Sequence, residues 1–493
     1  MIPILFSSSN PFGPFQSIHE HVIRNAEPLS WDNWYHLFII PLIPLYCQTL
    51  LLRYEWTRQY RIALGVMGIA MLWAAGMKYR FVQPWFNALN NGIGIGIMHI
   101  TARYAEFGFM KGPLYDRYFE AKGRNPLISA LDVAVNARWI GLGVIDLDHQ
   151  GKVDNVNINT SAKSNGQLKN GISKGDGGIR IDSNRTIPDL NNERNKESWL
   201  PWPKVKRTRT QAFIRHLSIA IKNYIIFDTF LYMIRYFGSN TIGSNLPVSN
   251  ALYRFSHENT FIIFPSIHFF DLEDSGQVSG RKQMGMGTGI IAPWYLVEFA
   301  VELSVAVGVW LGISAGYHFL GAICVGTGFW ETESWEIDLF DNPLKADSLL
   351  DFWGRRWHQF FRHHFILYSS LILGLLKLPR SSGNILFLSF ILSGAMHSLG
   401  QWSMSPNPPL LPLFALFPLS GLGCILEVLF KRYTGKKVGG IWGRIWTWSA
   451  MLLIGRLGTI AWVDSGVGGS YLTPPWAGPI IVKWAEKWLI AKA

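Results

Sequence analysis

A chain of 493 residues that is 49% hydrophobic and 14% aromatic, with 22 Trp and only 16% charged residues, has the composition of a multi-pass membrane protein. In such a chain the net charge of +12 belongs to cytoplasmic loops and anionic lipid headgroups rather than to nucleic acid, and the same charges would suit a phosphate-bearing coenzyme. Cys47, Cys324 and Cys424 sit far apart in apolar segments with no metal-ligand spacing, so buried free thiols are expected, with neither disulfides nor a zinc site.

The first residues, MIPILFSSSNPFGPF, carry no positive leader and too short an apolar run for a cleavable signal, so insertion is expected to rely on the first spanning helix. Candidate spans follow at 35–52, 62–77, a weaker 86–100, 213–237, 294–328, 365–378, 385–402, 410–430 and 446–463. The stretch 294–328 has room for two, broken near Ser314 to Gly316. The expected fold is therefore all-α, a multi-pass transmembrane helical bundle of roughly eight to ten spans. Basic residues follow spans on both sides (Arg53, Arg58, Lys78, Lys431, Arg432), so the charge rule assigns no orientation.

Five regions are predicted: N-terminal membrane helices over 1–110, a polar loop region over 111–210, central membrane helices and a loop over 211–330, a catalytic region over 331–463 and a tail over 464–493. Within the second, 152–209 is rich in Asn, Ser, Gly and Lys and reads as a flexible insertion. Asn159 and Asn184 head glycosylation sequons there. His149 and Asp154 show a His-x4-Asp spacing, which chance readily produces and which falls where geometry is hard to hold. The Gly-rich run NGIGIGIMHI (91–100) follows no strand, so close helix approach is the better reading than a dinucleotide site.

Several carboxylates stand in apolar segments, Asp228, Glu298 and Glu302 among them. Glu298 and Glu302 share a helix face after Pro293 and are expected to meet a basic partner from a loop. Asp228 is either a functional group or the partner of Arg235, seven residues on. With His397 these acids could also form the polar path of a transporter, a rival reading against which the absence of related halves counts.

The densest chemistry lies between Asp347 and Gly400. Ser348 and Asp351 have capping-box spacing, which predicts a helix running into an aromatic stripe of Trp353, Trp357, Phe361 and Phe365. On that helix Arg355, His358 and Arg362 would share a polar face. The chain then turns through Pro379 to Gly383 and returns as ILFLSFILSGAMHSLGQW, a helical hairpin. His397 lies far along the returning arm beside Ser393, Gly394, Ala395 and Ser398, small residues that leave room for another backbone or a ligand. An ideal hairpin would separate the two histidines by about 12 Å along its axis, so a kink is needed to bring them together.

LFDNPLKADSLLDFWGRRWHQFFR, with SGAMHSLGQW about forty residues later, resembles the wax synthase domain of fungal membrane acyltransferases, relatives of the membrane-bound O-acyltransferases. NARWIGLGV (136–144) resembles an upstream segment of the same proteins. The resemblance implies that His397 is the catalytic base and that His358 stands where the wider superfamily often carries asparagine. It implies transfer of an acetyl group from acetyl-CoA, as co-substrate and with no bound cofactor or metal, to a hydroxylated terpenoid or other lipophilic alcohol in contact with membrane lipids. Arg355, Arg356, Arg362 and Trp357 would then bind the coenzyme or substrate. Endoplasmic reticulum membrane is the expected location, and long-chain wax ester synthesis the alternative activity. The His-x3-Asp signature is missing at every histidine, and no serine nucleophile elbow is expected.

Overall fold

The computed structural model describes residues 13–110, 113–116, 125–136, 138, 142–144, 207–264, 290–405 and 409–492. The predicted insertion lies outside them except for its last residues, as do His149 to Asp154, Asn159, Asn184 and the first twelve residues.

Nine helices form the bundle among the described residues: α1 (Trp34–Leu51, interrupted by a 3-10 turn at Ile40–Leu42), α2 (Arg58–Lys78), α3 (Asn87–Phe109), α4 (Arg209–Phe237), α5 (Trp294–Gly326), α6 (Arg362–Leu375), α7 (Ser382–Trp402), α8 (Leu410–Thr434) and α9 (Gly440–Asp464). Six segments are long and apolar enough to cross a membrane: α1, α2 with the turn before it, α4, α5, α7 and α8. Among the other predicted spans α6 is short, at 14 residues, and α3 and α9 are too polar by the same measure. The strands among the described residues are two or three residues long and form only two- and three-stranded sheets. The fold is that of a multi-pass helical membrane protein.

The predicted break in 294–328 does not occur. α5 runs unbroken for 33 residues, about 50 Å at 1.5 Å per residue, well beyond a hydrocarbon core of about 30 Å. A break inside the bilayer would strand backbone N–H and C=O groups, and that cost outweighs the weak helix propensity of Ser and Gly. Ser314 Oγ, at the expected break, instead accepts from Asn223 Nδ2 of α4 at 2.9 Å. α4 and α5 form the most extensive helix pair among the described residues.

Buried polar side chains join the helices. In the N-terminal group Gln48 Nε2 donates to the Arg61 and Tyr104 carbonyls at 2.8 and 3.0 Å, tying α1 to α2 and α3. Arg103 donates to the carbonyls of Val133 and Asn136 at 2.6 and 2.9 Å and so closes the end of the short helix Pro126–Val135. Of the Gly-rich run, Gly94 does the expected work: a Cβ there would stand 3.0 Å from Gly400 Cα, so α3 and α7 meet backbone to backbone.

The predicted C-terminal tail is part of the bundle. Helix Gly478–Trp488 packs on α4, and Ile490–Lys492 pairs antiparallel with Phe261–Ile263. The fully buried Asp228 carboxylate accepts the N–H groups of Trp476, Ala477 and Gly478 at 2.8 to 2.9 Å, capping that helix. Arg235 packs on the Tyr471 ring instead, 4.4 Å from its centroid. The partner of Glu298 also differs from expectation: it is Arg456, within helix α9 and not in a loop, at 3.1 and 3.2 Å, with Glu302 3.8 Å away. Of the three cysteines only Cys424 is fully buried.

Candidate active site

The helix predicted from Ser348 begins as expected and then breaks. Ser348 Oγ accepts from Asp351 N at 3.0 Å, and the buried Glu427 of α8 takes the N–H groups of Leu349 and Leu350 at 2.6 and 3.0 Å. After Asp351 the chain widens into a π turn, Phe352–Arg356. Trp357 is extended at φ −77°, ψ 151°, and regular helix resumes only at Arg362. Side chains satisfy the backbone groups so released: Arg362 Nη1 donates to the Gly354 carbonyl at 2.5 Å and Gln359 Nε2 to that of Trp357 at 2.6 Å. Arg355, His358 and Arg362 therefore do not share a helix face, contrary to the spacing argument. The entry to the hairpin is therefore interrupted and not a continuous helix.

It turns His358 inward. The ring lies against Phe340, Trp357, Phe360 and Phe361, with centroids 5.8 to 6.3 Å away, and its buried Nδ1 has no hydrogen-bond partner among the described residues. Burial, and after it the nearby His397 imidazole, lower His358 to about 3, so it is neutral at physiological pH. A series of ring contacts runs between the two histidines: Trp357, which meets His358, meets Trp353, Trp353 meets Phe417, and Phe417 stacks on His397 at 4.4 Å.

His397 Nδ1 contacts the Ser393 carbonyl at 2.8 Å. A carbonyl only accepts, so Nδ1 carries the proton and Nε2 the lone pair. The small residues beside it mainly serve backbone approach. A Cβ on Gly394 would come within 2.8 Å of the Phe414 carbonyl, the group left without a helical donor by Pro418 four residues on.

The candidate coenzyme-binding residues are dispersed. Arg355, 60% exposed, pairs with Asp351 at 2.9 Å and lies 3.6 Å from Asp341. Arg356 is mostly buried, bonded to Asp351 and to the Asp341 carbonyl. Arg362 staples the break described above, and Trp357 stacks on Phe352 at 5.2 Å. Only Arg355 among these offers an exposed guanidinium.

Sequence reasoning missed the residues that hold the loop ahead of this site. Arg138 donates to the Ile337 and Asp338 carbonyls at 2.7 and 3.1 Å and to Tyr317 Oη at 3.1 Å. Arg215 grips the Asp338 carboxylate at 2.6 and 2.7 Å, and His216 and His318 share a 2.8 Å contact through their Nδ1 atoms. Gly312 to Gly316 has a Gly-x-Ser-x-Gly spacing that the sequence reading passed over, but it lies in the middle of α5 and follows no strand. Asp228 caps a helix, and Glu298 and Glu302 face Arg456, so each of these acids has a structural partner. Two surface clefts, of about 390 Å³ beside Trp85 and Tyr471 and about 570 Å³ beside Trp56 and Tyr60, include neither histidine of the centre.

Residues 335–419, which span the break, α6, α7 and the start of α8, match the model of the "Membrane bound O-acyl transferase family". The chain is also similar to individual fungal proteins. It is 30% identical to Acetyltransferase ataH of Aspergillus terreus over 161 residues, 30% of this chain and 52% of that protein. It is 28% identical to Acetyltransferase spyB of Aspergillus fumigatus, over 36% of this chain and 28% of that protein. With Acetyltransferase ple2 of Rhodocybe pseudopiperita the figures are 27%, 33% and 41%. The match thus spans about half the length of the first of these and less of the others.

Proposed function

We propose that the protein is a membrane-bound O-acetyltransferase that moves an acetyl group from acetyl-CoA to a hydroxyl of a terpenoid or meroterpenoid. The observation that carries the reading is the His397 tautomer: Nδ1–H is given to the Ser393 carbonyl, and the Nε2 lone pair remains, on a rigid helix, as a base. Nε2 takes the acceptor's hydroxyl proton as the oxygen attacks the thioester carbonyl. The tetrahedral oxyanion then collapses, the carbon–sulfur bond breaks, and the imidazolium returns the proton to the coenzyme A thiolate. Neutral His358, with an unused buried nitrogen, is suited to donate to the oxyanion. Similarity of residues 335–419 to the O-acyl transferase family and the fungal acetyltransferases supports the reaction class and the short donor. The aromatic side chains from Phe340 to Phe417 that surround the two histidines suit contact with a rigid, apolar acceptor.

The test is coenzyme A release from microsomes carrying the wild type or His397→Ala, with acetyl- or palmitoyl-CoA and a hydroxylated terpenoid or a fatty alcohol. Acetyl-dependent release that disappears in the variant is expected. Palmitoyl-dependent release with the fatty alcohol would make it a wax ester synthase. Wild-type rates in a folded His397→Ala protein would remove the base.

A further inference from the structure

We propose that Glu106 of α3 is a positioning residue for His358, acting through the first turn of α6; its kinetic consequence rests on the acyl-transfer reading of that histidine. The Glu106 side chain is 2% exposed. Its Oε1 accepts from His363 Nε2 at 2.6 Å, and its Oε2 lies 3.2 Å from His364 Nε2. These histidines follow Arg362, the first residue of α6, so the carboxylate holds the chain where helix resumes. One turn later Tyr368 Oη donates to the Ala102 carbonyl at 2.5 Å, a second attachment of the same helix start to α3.

The segment 357–361 is thereby suspended between two buried carboxylates from different helices. Glu427 of α8 fixes the chain ahead of it through Leu349 and Leu350, and Glu106 fixes the chain behind it. Left to itself, an isolated chain would tend to extend α6 backwards, because each added residue gains a backbone hydrogen bond. Adding one residue to the helix would rotate its start by about 100° and carry His358 away from its present aromatic contacts. The packing also runs directly from the clamp to that ring: His364 meets His99 at 4.9 Å, His99 meets Phe361 at 5.2 Å, and Phe361 meets His358 at 6.0 Å.

The experiment combines kinetics with a readout that needs no activity. Glu106→Ala and Glu106→Gln are made in the wild type and in His358→Ala. Turnover is measured against acetyl-CoA, and hydrogen–deuterium exchange is followed over 352–362 in detergent. Glu106→Ala is expected to lower kcat about 100-fold, the cost of a misplacement near 1 Å, with KM for acetyl-CoA changed less than about twofold. Glu106→Gln keeps an acceptor oxygen and should recover about tenfold of that loss. In His358→Ala the further effect of Glu106→Ala should fall below about threefold, because the two act as a unit. Exchange across 357–361 should change in Glu106→Ala and revert towards wild type in Glu106→Gln. Equal losses in both backgrounds, or unchanged exchange in a folded Glu106→Ala protein, would overturn the proposal. If the wild type transfers no acyl group, the acyl-transfer reading fails alone and exchange decides the role of Glu106.

Discussion

His397 gives its Nδ1 proton to the carbonyl of Ser393, 2.8 Å away and one turn earlier on the same helix. The bond orients the ring without using any other element of the fold. Replacing His397 by Ala should therefore lower turnover about 10²- to 10⁴-fold, the usual contribution of a general base, while the melting temperature in detergent changes little. Parallel losses of activity and of folded protein would instead mark the histidine as structural.

His358 lends itself to a pH experiment. Its folded value of about 3 lies below the unfolded 6.5, so between these limits the unfolded chain binds more protons and stability rises with pH. Below about 3 both states are protonated and the dependence ends. His358→Asn removes this group and keeps a hydrogen-bond donor. It should flatten the stability profile between pH 3 and 6.5 and retain more activity than His358→Ala. A chemical-denaturation series across pH and the two relative rates check both statements.

Arg355 and Arg356 should separate cleanly. Arg356 is mostly buried between Asp351 and the Asp341 carbonyl, so Arg356→Ala should destabilise the protein by about 2 to 3 kcal/mol, the worth of charge-assisted bonds. Arg355 is exposed, and losing its surface pairs should cost under about 1 kcal/mol. If Arg355 meets coenzyme A phosphates, Arg355→Ala raises KM for acetyl-CoA at constant kcat, and the effect shrinks in high salt. An unchanged KM would leave Arg355 with its local ion pairs only.

Asp228→Ala should release the C-terminal helix. Three N–H groups lose their shared acceptor, a cost of about 2 to 4 kcal/mol that falls on the docking of 478–488. Limited proteolysis near Trp476 reads the release directly. Acyl transfer by the intact fraction should be retained, because Asp228 touches neither candidate histidine.

Much of the site's local scaffold was legible. Ser348 caps a helix because its side chain reaches an N–H three residues on, and α6 and α7 form a hairpin because a polar turn separates two apolar runs. The break at 357–361 was not legible in the same way. Trp353, Trp357, Phe361 and Phe365 have faultless helical spacing, and local periodicity contains nothing of the Glu427 carboxylate that arrives from 77 residues away. The partners of Asp228 and Glu298 escaped for the same reason, being 250 and 158 residues distant.

The sequence by itself determined that this chain is a bundle of membrane helices carrying a histidine on an apolar arm, because hydropathy and capping act over a few neighbouring residues. Tertiary structure alone decided that His358 leaves its helix and packs among Phe340, Trp357, Phe360 and Phe361. A buried carboxylate must find a partner, and the two that flank this stretch, Glu427 and Glu106, come from helices remote in the chain.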